Sequence, residues 1–233
     1  MAASAPPVAS GIARPSSRTG NLSPQLHAYL LARSAPADPV LTELADETAR
    51  RFPASAGMQI GAEQGTFMTL LTRIAGASAA IEVGTFTGYS SICLARGLAA
   101  GGRLLCCDVS EEWTSLARQY WQKAGVDDRI ELRVAPAIET LRALPAGPSL
   151  DLAFIDADKP GYIGYWDEIV PRIRPGGVIL ADNTLYGGQV TDTADRGASV
   201  QGIRDFNDHA VADDRVELVL LPVGDGLTLA RKK

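Results

Sequence analysis

Residues 150–156 read LDLAFID, and residues 177–183 read GVILADN. Both stretches are short apolar runs without strict alternation, which is typical of strands covered on both faces in a parallel sheet. Each run ends in polar residues, Asp156 after the first and Asp182-Asn183 after the second. Ligands of open α/β sheets bind at the carboxyl ends of the strands. The two runs therefore predict an α/β fold with a ligand site at one edge of the sheet.

Strand and helix patterns alternate from residue 79 onward, which predicts a Rossmann-like, mostly parallel sheet. The last two apolar runs are joined by Gly224-Asp225-Gly226 and should pair antiparallel, so the sheet is expected to end in a reversed strand. Three helices, at about 24–33, 39–51 and 64–74, precede the first strand and are expected to form an N-terminal cap. The predicted strands are 80–84, 103–109, 130–134, 150–155, 178–182, 215–221 and 227–231, and the clearest later helices are 111–124 and 200–212.

The composition bounds the class of protein. The chain has 233 residues, a formal net charge of −5 and a pI near 5.1. This length suits one well-buried domain, placed at residues 22–233, and the acidic balance disfavours a nucleic-acid partner. No apolar segment approaches the roughly 18 residues of a membrane span, so no membrane contact is expected. Cys106 and Cys107 are adjacent in a predicted strand and point to opposite faces, which argues against a disulfide framework and for a reducing, cytoplasmic location.

The first 21 residues differ from the rest in composition. They are rich in Ala, Ser and Pro, and they contain Arg14 and Arg18 but no acid. This composition predicts a disordered tail at residues 1–21. It also overlaps with that of a transit peptide, although Pro6, Pro7 and Pro15 work against the amphipathic helix of such peptides. A disordered tail is the expectation, and a targeting role stays open.

The polar residues at the two strand ends are suited to binding a metal. Asp156, Asp182 and Asn183 would supply two carboxylates and one amide oxygen. Such hard oxygen ligands fit Mg²⁺, or another divalent cation such as Mn²⁺ or Ca²⁺, better than Zn²⁺. Taken separately, Asp156 could cap a helix before Pro160, and Asp182-Asn183 could form a turn. Lys159 is either a solvated loop lysine or a catalytic group whose pKa is lowered beside a cation.

The first predicted strand leads into residues 82–90, EVGTFTGYS. Glycines at this position let a ligand approach the backbone at a helix N-terminus. Counted from Gly84, the third and sixth places of the dinucleotide fingerprint hold aromatic residues, and no phosphate loop follows. Glu82 could bind an amine or hydroxyl, and Asp108 stands where an acid pairs with a ribose diol. A cationic nucleoside without phosphates, S-adenosylmethionine, fits these groups.

Three motifs, taken in order, resemble the class I cation-dependent O-methyltransferases. This family includes caffeoyl-CoA O-methyltransferase and is related to catechol O-methyltransferase. The motifs are EVGTFTGYS at 82–90, FIDADK at 154–159 and DNTL at 182–185. The resemblance runs from about residue 23 to the C-terminus. It implies transfer of a methyl group from S-adenosylmethionine to a hydroxyl of a small phenolic molecule, by a homodimer.

The resemblance also implies roles for single residues. Asp156, Asp182 and Asn183 would bind the metal, and Lys159 would act with Asp156 beside the substrate hydroxyl. A vicinal diphenol is expected, because two adjacent hydroxyls can bind one metal ion. Plant enzymes that use coenzyme A esters carry Trp-Asn after Asn-Thr-Leu, whereas this chain has Tyr186-Gly187, which favours a smaller or different phenol. The residues implied to bind the cofactor are Ile60, Glu82, Gly84, Thr85, Ser90, Asp108, Ala137 and Asp156.

Two other classes of protein stay open on the sequence. One is a nucleotide-dependent oxidoreductase, disfavoured by the missing glycines, and the other is a non-catalytic S-adenosylmethionine-binding protein of the same fold. A nucleic-acid methyltransferase is disfavoured by the acidic charge and the missing Asn-Pro-Pro-aromatic motif. Trp113 belongs to an apolar helical stripe expected to be core, Asp158 is assigned no role, and His27 and His209 are interpreted as surface or packing residues.

Overall fold

The computed structural model describes residues 22–36 and 38–233. The tail predicted at residues 1–21 lies outside the described residues. Seven strands form one sheet: β1 Ala79–Val83, β2 Arg103–Asp108, β3 Ile130–Val134, β4 Leu150–Ile155, β5 Ile173–Ala181, β6 Val216–Leu221 and β7 Leu227–Lys232.

The strand order is β3-β2-β1-β4-β5-β7-β6. Neighbours from β3 to β5 are parallel, and β7 runs antiparallel to both β5 and β6. The expected Rossmann-like sheet with a reversed final strand is therefore confirmed, and that strand lies between β5 and β6. β5 begins at Ile173 rather than at residue 178, because Ile173 already pairs with Leu150 before a register shift.

Three helices precede the sheet, as predicted: α1 Pro24–Ala32, α2 Pro39–Arg51 and α3 Ala62–Ile74. Ser23 and Asp38 accept hydrogen bonds from the first turns of α1 and α2, each with proline at the start of the helix. A short 3₁₀ turn, Ala56–Met58, connects α2 to α3. This connection brings the start of α3 to the carboxyl edge of the sheet.

The remaining helices alternate with the strands: α4 Tyr89–Gly97, α5 Glu111–Lys123, α6 Ala137–Ala143, α7 Tyr162–Ile169 and α8 Ala198–Ala212. Two apolar clusters cover the two faces of the sheet. One contains Phe154 and Leu180 with α3, α4 and α5, and the other contains Ile155 and Ile179 with α6, α7 and α8. Because successive strand residues enter opposite clusters, both faces must be apolar, which explains the apolar runs at 152–155 and 177–181.

No helix within the described part of the chain is long and apolar enough to cross a membrane.

Candidate active site

A cavity of about 700 Å³ opens at the carboxyl ends of β1, β2 and β4. Nine residues predicted for the site line it: Ile60, Gly84, Thr85, Ser90, Asp108, Ala137, Asp156, Lys159 and Asn183. Two predicted site residues, Glu82 and Asp182, are buried behind this lining. The structure thus brings most of the predicted residues to one cavity and places two acids beneath its surface.

Gly84 joins the ends of β1 and β4. Its φ is +91°, and a Cβ built there would lie 1.9 Å from the carbonyl oxygen of Asp156. Only glycine tolerates both the left-handed backbone and this approach. The turn after β1 is therefore pressed against the start of the Asp156 segment, so the cofactor and metal motifs of the sequence form one wall.

Asp108 organises the turn after β1 from the end of β2. Its Oδ2 accepts hydrogen bonds from the backbone N–H groups of Thr85 at 2.9 Å and Phe86 at 2.8 Å. Its Oδ1 accepts one from the N–H of Ser110 at 2.8 Å. The acid predicted to bind a ribose diol thus also holds the loop that lines the cavity.

Glu82 lies inside the sheet and is fully buried. The Ser91 hydroxyl donates to its Oε2 at 2.5 Å, and the Cys106 thiol donates to the same oxygen at 3.3 Å. Burial outweighs these hydrogen bonds and raises the pKa of Glu82 to about 7. Its Oε1 has no hydrogen-bond partner within the described residues. The structure does not bring Glu82 to the cavity surface, where the sequence interpretation placed it, because its side chain points to the face covered by α4.

Asp182 follows β5 and is 2 % exposed. Its Oδ1 accepts a hydrogen bond from the N–H of Asn183 at 2.8 Å, and its Oδ2 accepts one from Nε2 of Gln64 at 2.8 Å. Burial, together with the negative charge of Asp156, raises the pKa of Asp182 well above its usual range. Asn183 has φ +58°, so this segment also makes the tight turn that was the alternative reading of the sequence.

The donor set at this edge of the sheet fits a hard divalent cation. Asp156 and Asn183, a carboxylate and an amide, line the cavity, and the negative charge of Asp156 repels that of Asp182 and helps to raise the pKa of Asp182. A cation between them would remove this repulsion. Asp156 does not cap a helix, since the next helical turn starts after Asp158. Among residues 22–36 and 38–233, no three His, Cys, Asp or Glu side chains form a metal cluster, so the candidate set depends on the Asn183 amide.

Lys159 lies beside the candidate metal ligands and is largely buried. Its Nζ donates to Oδ1 of Asp156 at 3.0 Å and to the Tyr162 hydroxyl at 2.7 Å. Burial alone would lower the pKa of Lys159, but its contacts with the Tyr162 hydroxyl and with the charge of Asp156 outweigh it and raise the pKa above the ordinary value. With no cation bound, this direction is opposite to the lowered pKa expected from the sequence, because Asp156 stabilises the ammonium form.

Several residues that line the cavity were not predicted from the sequence. Trp113, expected to be core, lines the cavity and packs edge-on against Phe86 with ring centroids 5.1 Å apart. Asp158, which had no assigned role, lines it and accepts a hydrogen bond from the Tyr165 hydroxyl at 2.6 Å. Asp225 reaches the cavity from the β6–β7 turn. No sequence signal identifies these residues, because their positions depend on contacts between distant segments.

The geometry matches known methyltransferases along nearly the whole chain. A family model described as O-methyltransferase matches residues 32–233. The chain belongs to the O-methyltransferase family.

Two relatives and one solved structure show how far the similarity extends. The catechol O-methyltransferase domain-containing protein 1 of Mus musculus is 38% identical over 207 residues, covering 88% of this chain and 78% of the relative. Caffeoyl-CoA O-methyltransferase 2 of Zea mays is 37% identical over 221 residues, covering 90% and 83%. The crystal structure of an O-methyltransferase from Bacillus cereus in complex with SAH is 34% identical with a TM-score of 0.82, covering 90% of this chain and 97% of that one.

This membership settles the class of the protein. It is an S-adenosylmethionine-dependent O-methyltransferase of the caffeoyl-CoA type, as the three sequence motifs indicated. The oxidoreductase and the non-catalytic binding protein are therefore set aside.

Proposed function

We propose that this O-methyltransferase requires a divalent cation and methylates a vicinal diphenol or a related small phenolic molecule. Mg²⁺ is the preferred cation in this proposal, with Mn²⁺ and Ca²⁺ as alternatives. The observation that carries it is the buried Asp182 carboxylate, which lies close to Asp156 at the end of the neighbouring strand. Two neighbouring carboxylates repel each other, and burial deprives them of the water that would screen this repulsion. A bound cation would offset their negative charge.

Asp156, Asp182 and Asn183 would hold the cation, because they are the oxygen donors at these two strand ends. When bound, the cation supplies Lewis-acid polarisation of an acceptor hydroxyl, and S-adenosylmethionine supplies the methyl group. Lys159 would act at the acceptor oxygen. Its hydrogen bonds to Asp156 and Tyr162 favour the ammonium form, so the chain offers a positive charge that stabilises a phenolate.

The cofactor would lie in the part of the cavity that follows β1 and β2, the cofactor half, beside the acceptor half that holds Asp156, Lys159 and Asn183. Asp108 is proposed to bind the ribose diol, while Gly84 lets the cofactor approach the backbone. Trp113 and Phe86 supply aromatic surface beside them. Thr85, Ser90, Ile60, Ala137 and Asp156 also line the cavity and are proposed to contact the cofactor. The structure from Bacillus cereus in complex with SAH supports this assignment of the cavity. Glu82 would act on the cofactor only through this lining, since its own side chain is buried.

The acceptor class is supported by the relatives' names, which contain caffeoyl-CoA and catechol. A methyl-transfer assay against phenols with and without vicinal hydroxyls tests it, read with Mg²⁺ and with EDTA. Vicinal diphenols should be methylated only when the cation is present. Equal turnover of monohydroxyl phenols, or full activity in EDTA, would contradict the proposal.

The assembly and location are part of the same proposal, with residues 22–233 acting as one methyltransferase domain. We propose a homodimer, because α1 has no buried residue within the described chain and exposes 51% of Leu26 and 60% of Tyr29. Light scattering should give about twice the chain mass of 24.6 kDa, and a mass of one chain at micromolar concentration would contradict the dimer. The three cysteines are free and buried, which supports the reducing environment of the cytoplasm.

A further inference from the structure

Gln64 links the helical cap to the candidate metal site. It lies near the start of α3, is 1 % exposed, and donates from Nε2 to Oδ2 of Asp182 at 2.8 Å. The other oxygen of Asp182 accepts the Asn183 N–H. Each carboxylate oxygen thus receives one hydrogen bond from a neutral N–H group, and together the two bonds fix the plane of the carboxylate.

Gly224 confines the Gln64 side chain from the other side. A Cβ built at Gly224 would lie 2.3 Å from Oε1 of Gln64, and the φ of Gly224 is +56°. The carboxamide is therefore enclosed by α3, the β6–β7 turn and Asp182. Three segments that are distant in the sequence determine where the amide donor points.

We propose that Gln64 is a positioning residue that holds the Asp182 carboxylate in the orientation that binds a divalent cation. This role rests on the proposed cation dependence. A neutral amide suits it, because a lysine at this place would add a positive charge that competes with the cation. Each carboxylate oxygen has a second lone pair, so the hydrogen bond from Gln64 leaves Asp182 able to bind a metal.

The direct test is the binding of Mn²⁺ to the full chain without acceptor, measured by calorimetry and by electron paramagnetic resonance. Gln64→Met keeps the length and volume of the side chain and removes the donor. It should raise the Kd for Mn²⁺ by about 10–100-fold, the usual effect of losing a partner that orients a metal ligand. Saturating Mn²⁺ should restore most of kcat, because Gln64 does not line the cavity.

Thr72→Val is the matched control. Thr72 lies on the same helix, is also fully buried, and donates its hydroxyl to the carbonyl of Met68 at 2.7 Å. The variant should lose stability to a similar degree and keep the affinity for Mn²⁺. A common loss of affinity in both variants would assign the effect to α3 as a whole and overturn the specific role of Gln64.

A second pair of variants reaches Gln64 without changing it. Gly224→Ala should displace the carboxamide and weaken Mn²⁺ binding. Gly76→Ala is its control, because Gly76 has a similar φ of +59° with nothing within 4 Å of a built Cβ. If Gln64→Met fails to fold, the Mn²⁺ affinities of Gly224→Ala and Gly76→Ala test the role of Gln64 instead. Wild-type affinity in folded Gln64→Met, or in Gly224→Ala, would overturn the inference, whereas a wild-type chain that binds no Mn²⁺ would overturn the cation dependence itself.

Discussion

Glu82 and Asp182 are two buried carboxylates beneath the same cavity, one in β1 and one after β5, and their neighbours differ in kind. Burial raises the pKa of both. Glu82 is surrounded by neutral donors, among them the Ser91 hydroxyl and the Cys106 thiol. Asp182 lies near the charges of Asp156 and Lys159. Protonation alone neutralises the isolated carboxylate of Glu82. Asp182 instead lies next to a second carboxylate, and a divalent cation would balance the charge of both.

The same contrast extends to the two halves of the cavity. In the cofactor half, backbone N–H groups of the turns after β1 and β2 donate to Asp108, so backbone geometry sets the site. In the acceptor half, side chains from α3 and from the segments after β4 and β5 meet. Substitutions in the acceptor half should therefore affect catalysis strongly and the cofactor weakly, and substitutions in the cofactor half should do the reverse.

The largest effect is expected from Asp182→Ala. Removing this carboxylate should cost several kcal/mol of transition-state stabilisation, the scale of a lost Lewis-acid metal. Turnover with saturating Mg²⁺ and calorimetric affinity for S-adenosylmethionine are to be compared. Asp205→Ala serves as the control, since the side chain of Asp205 is exposed on α8 and accepts a hydrogen bond from Gln201. Near-normal turnover of Asp182→Ala would show that Asp182, like Glu82, is not needed for cation-dependent catalysis.

Lys159→Met should lower kcat by about 10²–10³, the scale of a lost donor that stabilises developing negative charge, while leaving cofactor affinity nearly intact. The raised pKa of Lys159 means that its ammonium persists through neutral pH, so the pH–rate profile should show no basic limb from this group in the wild type before about pH 10. Measurement of kcat from pH 6 to 10 in both chains checks this. A limb near neutral pH that is absent from the variant would instead favour the general-base role, with a pKa lowered when the cation is bound.

The sequence predicts some residues of the cavity better than others. Asp156, Asp182 and Asn183 could be placed at strand ends because they follow short apolar runs that are typical of buried parallel strands. Gln64 could not, because its contact with Asp182 joins residues 118 positions apart. Glu82 was correctly placed in the first strand, but a strand residue alternates between faces, and the sequence does not say that α4 covers the face to which Glu82 points. The expectation that Trp113 belongs to the core missed its place in the cavity lining for a similar reason. An aromatic residue on a buried helical stripe can lie at the end of that stripe and reach a cavity.

Glu82→Gln should change stability by up to about 3 kcal/mol, the equivalent of the difference between a pKa of 4.5 and about 7. Between these two pH values the folded chain keeps a proton that the unfolded chain has released, so the free energy of unfolding falls as pH rises. The contribution of Glu82 is complete below about pH 4.5 and lost above about pH 7. Urea unfolding of the cofactor-free chain at pH 5 and pH 8 should therefore show that the variant gains most at pH 8. An equal difference between wild type and variant at both pH values would mean that Glu82 is ionised in the folded chain.

The smallest effect is expected at Asp108, where a pair of variants separates two roles. Asp108→Ala removes both the proposed diol contact and the acceptors of the Thr85, Phe86 and Ser110 N–H groups. It should weaken S-adenosylmethionine by roughly 1.5–3 kcal/mol, the range for hydrogen bonds to a charged group. Asp108→Asn keeps one oxygen for the loop, so it should lose less affinity and retain more stability. In both variants the Kd for Mn²⁺ should stay within about threefold of wild type, because the Asp108 carboxylate bonds the N–H groups of Thr85, Phe86 and Ser110 rather than the proposed metal ligands. Loss of Mn²⁺ binding together with cofactor binding would show that the two halves are coupled through Gly84 and its contact with Asp156.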